Sequence, residues 1–301
     1  MTTAPEDRAA ALALEPLRTA GPRPGFATGT LASLRDIHAH RELLGMLVRR
    51  ELKARYKDSS LGFVWSLARP LAMLLIYYVA LGQFLGAARS IPSFAVFIYT
   101  GLTAWGLFSE ALTAGTGSVV ANSGLVKKVY LPREVFPLAS IGSALFNFVV
   151  QLAILLAVTL AIGQFPTGSR WGYFVLGFLI LVVYATALSL FLSAVNVYLR
   201  DIQYLVEIFV MIFFWASPIV YSWTLVEKAV HSDMLLNIYL SNPVTLAVLG
   251  FQKTFWLAGD GQSYPPDLYA RMGIALAVGV VLLWLCQRTF ARLQANFAQE
   301  L

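Results

Sequence analysis

The sequence predicts an all-α membrane protein with six transmembrane helices, an N-terminal amphipathic helix and two short re-entrant helices at the outer side. Two observations carry this prediction. Of the 301 residues, 58% are hydrophobic and only 13% are charged, whereas soluble domains carry about 25% charged residues. The basic residues behind the net charge of +6 gather at the ends of apolar runs, which favours a membrane protein over a nucleic-acid-binding one.

Six apolar runs are long enough to cross the hydrocarbon core, since a helix needs roughly 20 residues to do so. They cover residues 62–85, 94–117, 135–162, 172–196, 204–223 and 268–290. These runs predict a transmembrane domain over residues 61–292. Residues 1–30, rich in Ala, Pro, Gly and Thr, are expected to form a disordered tail, and residues 293–301 a cytoplasmic C-terminal end.

Lysine and arginine set the expected orientation, because cytoplasmic loops carry more of both. With the N-terminus inside, the inner side holds Arg49, Arg50, Lys53, Arg55, Lys57, Lys127, Lys128, Arg133, Arg200, Arg288 and Arg292. The outer side holds Arg89, Arg170, Lys228, Lys253 and Arg271. This bias predicts that both termini are cytoplasmic.

Residues 31–60, before the first span, predict a cytoplasmic amphipathic helix. Apolar residues recur on one face at helical spacing, at Leu34, Ile37, Leu44, Val48 and Leu52. The basic residues between positions 49 and 57 lie mostly elsewhere on the helix. Such a helix can rest on anionic lipid, and it can also dock a cytoplasmic partner. The residues alone leave both interpretations open.

The outer segment 231–256 contains two short apolar pieces separated by Asn242-Pro243. Proline lacks the backbone N–H of a helical hydrogen bond and restricts the residue before it. The longer piece would reach only about 20 Å as a helix. These pieces are therefore expected to enter the bilayer and return, or to lie at its surface.

Motifs for catalysis or nucleotide binding are missing. The sequence has no G-x-x-x-x-G-K-[ST], no H-E-x-x-H, no G-x-S-x-G and no Asp-x-Asp pair, and it has a single cysteine, Cys286. We therefore expect no catalytic residue and no metal site, and the absent Asp-x-Asp opposes a membrane glycosyltransferase. Glu110 is the one serious candidate for ion coupling inside a span, but its depth favours a partner at the cytoplasmic interface.

Aromatic side chains form stripes on two predicted spans. Phe94, Phe97, Trp105 and Phe108 lie along the second span, and Tyr204, Met211, Phe214 and Tyr221 along the fifth. Aromatic rings present flat apolar faces that suit sugar rings, so these stripes are candidates for a glycan channel. Such stripes are also typical of helix packing or of interfacial belts.

Several stretches resemble polysaccharide ABC exporter permeases. RRELKARYKDSSLGFVWSLARPL is similar to their entry segment, NSGLVKKVYLPREVFPLA to their first cytoplasmic loop and VNVYLRDIQYLVEI to the second. SPIVYS and SNPV resemble the segments that flank their outer re-entrant region. The resemblance runs from about residue 41 to residue 290, with one departure at Arg69, where the family has an uncharged polar residue.

The resemblance implies a homodimer in the bacterial inner membrane that pairs with two copies of a cytoplasmic ABC ATPase. The ATPase binds ATP and Mg, so this chain needs no cofactor of its own. The cargo is a lipid-linked polysaccharide such as an O antigen, a teichoic acid, a capsule or cell-wall galactan. An ABC exporter of drugs or peptides and an ion-coupled secondary transporter remain alternatives, although no inverted repeat supports the latter.

The resemblance also assigns site residues. It implies that the contact with the ATPase involves Arg49, Arg50, Lys53, Arg55, Tyr56, Lys127, Lys128, Arg133, Tyr198, Arg200 and Asp201. The aromatic stripes become the expected channel lining. Asn242 and Pro243 become part of an outer gate.

Overall fold

The computed structural model describes residues 26–56, 64–128 and 131–301, and no β-strand occurs among them. Its α-helices, in chain order, are α1 (Phe26–Ala39), α2 (Arg41–Tyr56), α3 (Val64–Tyr77), α4 (Ala87–Ser90), α5 (Phe94–Ala121), α6 (Ser123–Lys128), α7 (Val135–Ala161), α8 (Trp171–Tyr198), α9 (Ile202–Trp215), α10 (Trp223–Ala229), α11 (Asp233–Leu240), α12 (Pro243–Phe255), α13 (Leu268–Leu293) and α14 (Phe297–Glu300). A π-helix, Tyr78–Phe84, continues α3, and 3-10 turns occur at Gly168–Arg170, Leu257–Gly259 and Gln294–Asn296.

Four helices in the described part of the chain, α5, α7, α8 and α13, are long and apolar enough to cross a membrane. The helices α11 and α12 would make a fifth span if they are taken together, but they meet at an angle of 82°. The all-helical prediction is therefore confirmed, whereas a count of six spans is not.

The first and fifth predicted spans are absent from the four long apolar helices, because their apolar helices, Pro70–Phe84 and Ile202–Trp215, are shorter. Residues 62 and 63 lie outside the described part of the chain, and the first helix runs from Val64 through the π segment to Phe84. The prediction that the fifth span reaches residue 223 is wrong, because α9 ends at Trp215. Pro218 follows closely and has no N–H for a helical hydrogen bond, so the chain turns there, with Ser217 and Pro218 both buried.

Helix α5 forms the centre of the bundle and is buried along most of its length. It packs against α7, α8, α9 and α12, and α8 in turn packs against α13. Glycines on α5 allow close contact: a Cβ on Gly115 would lie 2.4 Å from Ser189 Oγ, and one on Gly101 would lie 3.0 Å from the backbone oxygen of Ile219. Ser189 also donates a hydrogen bond of 3.0 Å to the Ala111 carbonyl, which ties α8 to α5.

The break at Asn242-Pro243 is present as predicted. The Asn242 side chain accepts a hydrogen bond of 3.0 Å from the Val244 N–H, and Pro243 occupies the first turn of α12, where proline fits without loss. Helix α12 is buried against α5 and α8. Helix α11 instead exposes Met234, Leu235 and Ile238. The role of this bent pair as an outer gate stays a prediction.

The predicted single helix over residues 31–60 is two helices, α1 and α2, with His40 between them. The His40 ring nitrogen Nδ1 lies 2.8 Å from the Asp36 carbonyl oxygen. The same carbonyl also accepts a hydrogen bond of 3.1 Å from the His40 backbone N–H, so the histidine side chain adds a second contact in the last turn of α1. Residues 57–60 lie outside the described part. So does most of the expected tail 1–30, of which only the last five residues are described, and those are helical.

Replacing Gly115 by alanine tests the close packing of α5 on α8. The added Cβ would lie 2.6 Å from the Ser189 Cβ, so one helix must shift. We expect a loss of about 1–3 kcal/mol in the free energy of unfolding, measured as a lower thermal midpoint in detergent. Gly273→Ala on α13 is the control, because nothing lies within 4 Å of a Cβ there. Equal midpoints for the two variants would contradict this packing.

Candidate functional site

The predicted coupling residues surround one end of the bundle, which we call the basic end. A separate hydrophobic cluster fills this end and joins α2, α6, α7, α8, α13 and α14. Its buried members include Leu47, Val126, Val135, Phe136, Val197 and Phe297. Segments that are distant in the sequence therefore share one core at the basic end.

Phe297 lies at the centre of this cluster and is fully buried. Its ring meets Tyr198 and Phe290 edge-on, at centroid distances of 6.2 and 5.5 Å. The Arg133 guanidinium lies 5.7 Å from the centre of the same ring, a cation–π arrangement. The Tyr198 hydroxyl donates a hydrogen bond of 2.8 Å to the Leu293 carbonyl. Arg133 and Tyr198, both predicted coupling residues, thus hold the C-terminal segment in place.

Glu134 is a buried carboxyl group at the start of α7. The Gln287 amide donates a hydrogen bond of 2.8 Å to its Oε1, Arg288 Nε donates one of 2.7 Å to Gln287 Oε1, and Arg288 also donates to Ser33 Oγ at 3.3 Å. Burial raises the pKa of Glu134, while the Gln287 hydrogen bond and the Arg288 charge lower it in part. This chain of contacts links α1, α7 and α13, and sequence reasoning missed it.

Helix α2 packs on the transmembrane helices. Leu47 is buried, and a Cβ on Gly142 of α7 would lie 2.8 Å from Val48 Cγ2. The Ser140 hydroxyl donates a hydrogen bond of 3.2 Å to Glu51, and Arg50 donates one to Asn122 at the end of α5. Helix α2 is therefore a packed element of the bundle as well as an amphipathic one.

Glu110 has the partner that its depth in the span predicts. Arg55 at the end of α2 forms an ion pair with it, and the Asn147 amide donates a hydrogen bond of 2.7 Å to the same carboxylate oxygen. Helix α2 thus supplies a partner for Glu110, and the expectation that this partner lies at the cytoplasmic interface stays a prediction.

Most of the predicted coupling residues are exposed around this cluster: Arg49, Arg50, Lys53, Arg55, Lys127, Lys128, Arg200 and Asp201. Arg133 and Tyr198 are half-buried. The side chains of Tyr56 and Arg69 lie outside the described residues. The basic end thus presents a cationic surface on a shared core, and its role in coupling stays a prediction.

The two predicted stripes of the channel lining differ in burial, and the stripe on α5 is buried. Phe94, Phe97, Trp105 and Phe108 on α5 are buried in the main core of the chain, where the rings of Phe97 and Trp256 meet at a centroid distance of 4.8 Å. Within a single chain this stripe packs helices together, and its four rings line no open surface.

The stripe near α9 is mixed. Tyr204 and Met211 are exposed, Phe214 is buried against Trp105, and the half-buried Tyr221 donates a hydrogen bond of 2.7 Å to the Trp215 carbonyl. Periodicity identified both stripes but could not say what each faced. Only Tyr204 and Met211 are left on an open face, and the channel role of the whole set stays a prediction.

The sequence model of the ABC-2 type transporter family matches residues 42–256, from α2 to the end of α12. The chain belongs to the ABC-2 type transporter family. It is 31% identical to the O-antigen export system permease protein RfbA of Myxococcus xanthus over 270 residues, 89% of this chain and 98% of that one. The corresponding permease of Klebsiella pneumoniae is 28% identical over 86% of this chain and 95% of its own length.

A more distant similarity joins the chain to capsule export. The polysialic acid transport protein KpsM of Escherichia coli is 25% identical over 64% of this chain and 74% of its own length. The resemblance to polysaccharide ABC exporter permeases that the motifs indicate is thereby confirmed. Together with the long apolar helices, the family makes this chain a multi-pass membrane permease.

The buried Glu134 predicts a dependence of stability on pH. Its pKa in the folded protein lies above the ordinary value of 4.5, so the folded state holds the proton more tightly than the unfolded state. The resulting stability is present below pH 4.5 and is lost as the pH rises through the raised pKa.

In Glu134→Gln this contribution disappears. We expect the thermal midpoint in detergent to fall less steeply from pH 4.5 to about pH 8 in this variant than in the unmodified chain. Glu42→Gln removes an exposed carboxylate on α2 and should leave the slope unchanged. Identical slopes for all three proteins would show that Glu134 does not titrate in this range.

Proposed function

We propose that this chain is the transmembrane subunit of an ATP-driven exporter that carries a polyprenyl-pyrophosphate-linked polysaccharide across the bacterial inner membrane. The observation that carries the proposal is the match to O-antigen export permeases over nearly the full length of both chains. The exposed cations of the basic end support it, because they suit both an anionic lipid head group and a protein partner. With this end in the cytoplasm, both termini are cytoplasmic.

ATP hydrolysis is assigned to a separate subunit. The sequence contains no phosphate-loop motif, so ATP and Mg are bound by two copies of a cytoplasmic ABC ATPase. Those copies dock on the basic end, where α2, α6 and the α8–α9 junction lie around one hydrophobic cluster. A displacement imposed there by the ATPase would reach all of these elements together, since they share a core.

A homodimer gives the polysaccharide its path. Helix α9 exposes an apolar stripe of Tyr204, Ile208, Met211 and Trp215, with the exposed Glu207 beside it, and α3 exposes Leu71, Leu75 and Ile76. Exposed faces of this kind suit a second protomer or a wide lumen, and Tyr204 and Met211 belong to the predicted lining. The glycan passes between the two protomers, with its pyrophosphate at the basic end.

The experiment that tests the proposal is affinity purification of the tagged chain in mild detergent with its neighbouring reading frames co-expressed. We expect an ATPase subunit with a phosphate-loop motif to co-purify in equal amount and the complex to hydrolyse ATP. Deletion of the chain should remove the surface polysaccharide and leave drug resistance unchanged. A chain that purifies alone as a dimer and transports on an ion gradient would overturn the proposal.

Reversal of charge at Arg200 and Asp201 tests the coupling role of the α8–α9 junction. Both side chains are exposed, so Arg200→Glu/Asp201→Arg should leave folding intact. We expect export to fall about tenfold while ATP hydrolysis continues, measured as surface glycan against phosphate release. The adjacent pair at the opposite end supplies the control, Glu227→Lys/Lys228→Glu. Unchanged export in the first variant would remove this junction from the coupling surface.

A further inference from the structure

The ion pair between Arg55 and Glu110 is partly exposed and lies near the middle of the length of α5. Glu110 is sixteen residues after Phe94 and eleven before Ala121, the two ends of α5. At 1.5 Å per residue, this places it about 17 Å from the end of α5 at the basic side. An ionised group at such a depth in a membrane span is costly unless it has a partner within the protein. Arg55 supplies the opposite charge, and it comes from the helix that lies outside the spans.

Three helices meet at this carboxylate. Arg55 belongs to α2, Glu110 to α5, and Asn147, which donates a hydrogen bond of 2.7 Å to Glu110, to α7. The Glu110 side chain is 25% exposed and that of Arg55 is 40% exposed. The carboxylate is thus the less accessible partner and depends more on the pair.

Two further contacts fix α2 on α7. Val48 is seated against Gly142, and Glu51 accepts a hydrogen bond from Ser140. These contacts hold α2 on α7 nearer the basic end, whereas Arg55 reaches inward to α5. Displacing α2 alone would therefore break a tight apolar contact and leave the Glu110 carboxylate without its charged partner.

We propose that Arg55 and Glu110 form a closed joint that makes α2 and α5 move together. The pair stays intact through the transport cycle, because opening it would leave the Glu110 carboxylate, in the middle of a membrane span, without the opposite charge of Arg55. Displacement of α2 by the partner ATPase is thereby transmitted to α5, the central helix of the bundle. Arg55 and Glu110 are positioning residues in this proposal, which rests on the proposed function.

A neutral pair separates this role from a purely structural one. Arg55→Gln/Glu110→Gln keeps side chains of similar size, leaves no unpaired charge and preserves an acceptor for Asn147. Replacement of an ion pair by uncharged groups of similar size is often neutral for stability, and this pair is partly exposed. We expect this variant to assemble with the ATPase and hydrolyse ATP, while the glycan exported per ATP falls about tenfold. The matched control, Arg41→Gln/Glu42→Gln, removes an exposed charge of each sign from α2.

Charge exchange gives the complementary test. Glu110→Arg places two cations together and Arg55→Glu two carboxylates, so each single variant should lose export. Arg55→Glu/Glu110→Arg restores the attraction, and the Asn147 amide can rotate to accept from the new arginine. Export in the exchanged variant should return to within about threefold of the original value. The reason is that the exchanged pair restores the attraction between the two side chains, whichever helix carries each charge.

The outcomes are distinct. Normal export per ATP in the neutral variant would overturn the joint, and so would an exchanged variant that assembles yet stays as defective as the single reversals. If the single reversals do not accumulate, the neutral variant still decides between the two roles. Failure of the proposed function is a different result, because the unmodified chain would then show no ATP-dependent export at all.

Discussion

The constraint on which the rest of the structure depends is that a polar group inside an apolar helix bundle must find its partner within the protein. Glu110 meets it through Arg55 and Asn147, which draws α2 and α7 onto α5. Glu134 meets it through Gln287, which draws the last long helix onto the start of α7. Each of these two carboxyl groups thus fixes the relative position of two or three helices.

The same constraint explains how the chain tolerates an interrupted helix in its core. After α9 stops at Trp215, the carbonyl groups of the following turn have no helical donors. Helix α12 supplies replacements: Gln252 donates a hydrogen bond of 2.7 Å to the Pro218 carbonyl, and Thr245 one of 3.3 Å to the Ala216 carbonyl. The bend before α12 and the turn after α9 therefore depend on each other. The buried short helix α12 is tolerated here because its polar side chains donate hydrogen bonds to the carbonyl groups of the turn after α9.

The sequence predicted those features of the fold that depend on neighbouring residues alone. The long helices α5, α7, α8 and α13 and the break at Asn242-Pro243 follow from apolar length and from proline. The direction that a stripe faces could not be read in this way, because periodicity places Phe97 and Trp105 on one face without saying that the core covers it. The partner of Glu110 lies 55 positions away, and Phe297 is buried by segments from across the chain. Contacts of this range leave no spacing signal.

Helix α2 carries both the cation that pairs with Glu110 inside the bundle and the cations that stay exposed at the basic end. Its apolar residues Leu47 and Val48 bury into the bundle, and Arg55 is committed to Glu110. Arg49 and Lys53 on the same helix stay exposed and available to a partner or to anionic lipid. A protein that grips the exposed side of α2 is therefore connected to α5 by an ion pair and to α7 by close packing. Helix α2 is both an amphipathic surface helix and a packed part of the bundle. Because it is packed, a force applied to its exposed side reaches α5 and α7 inside the membrane.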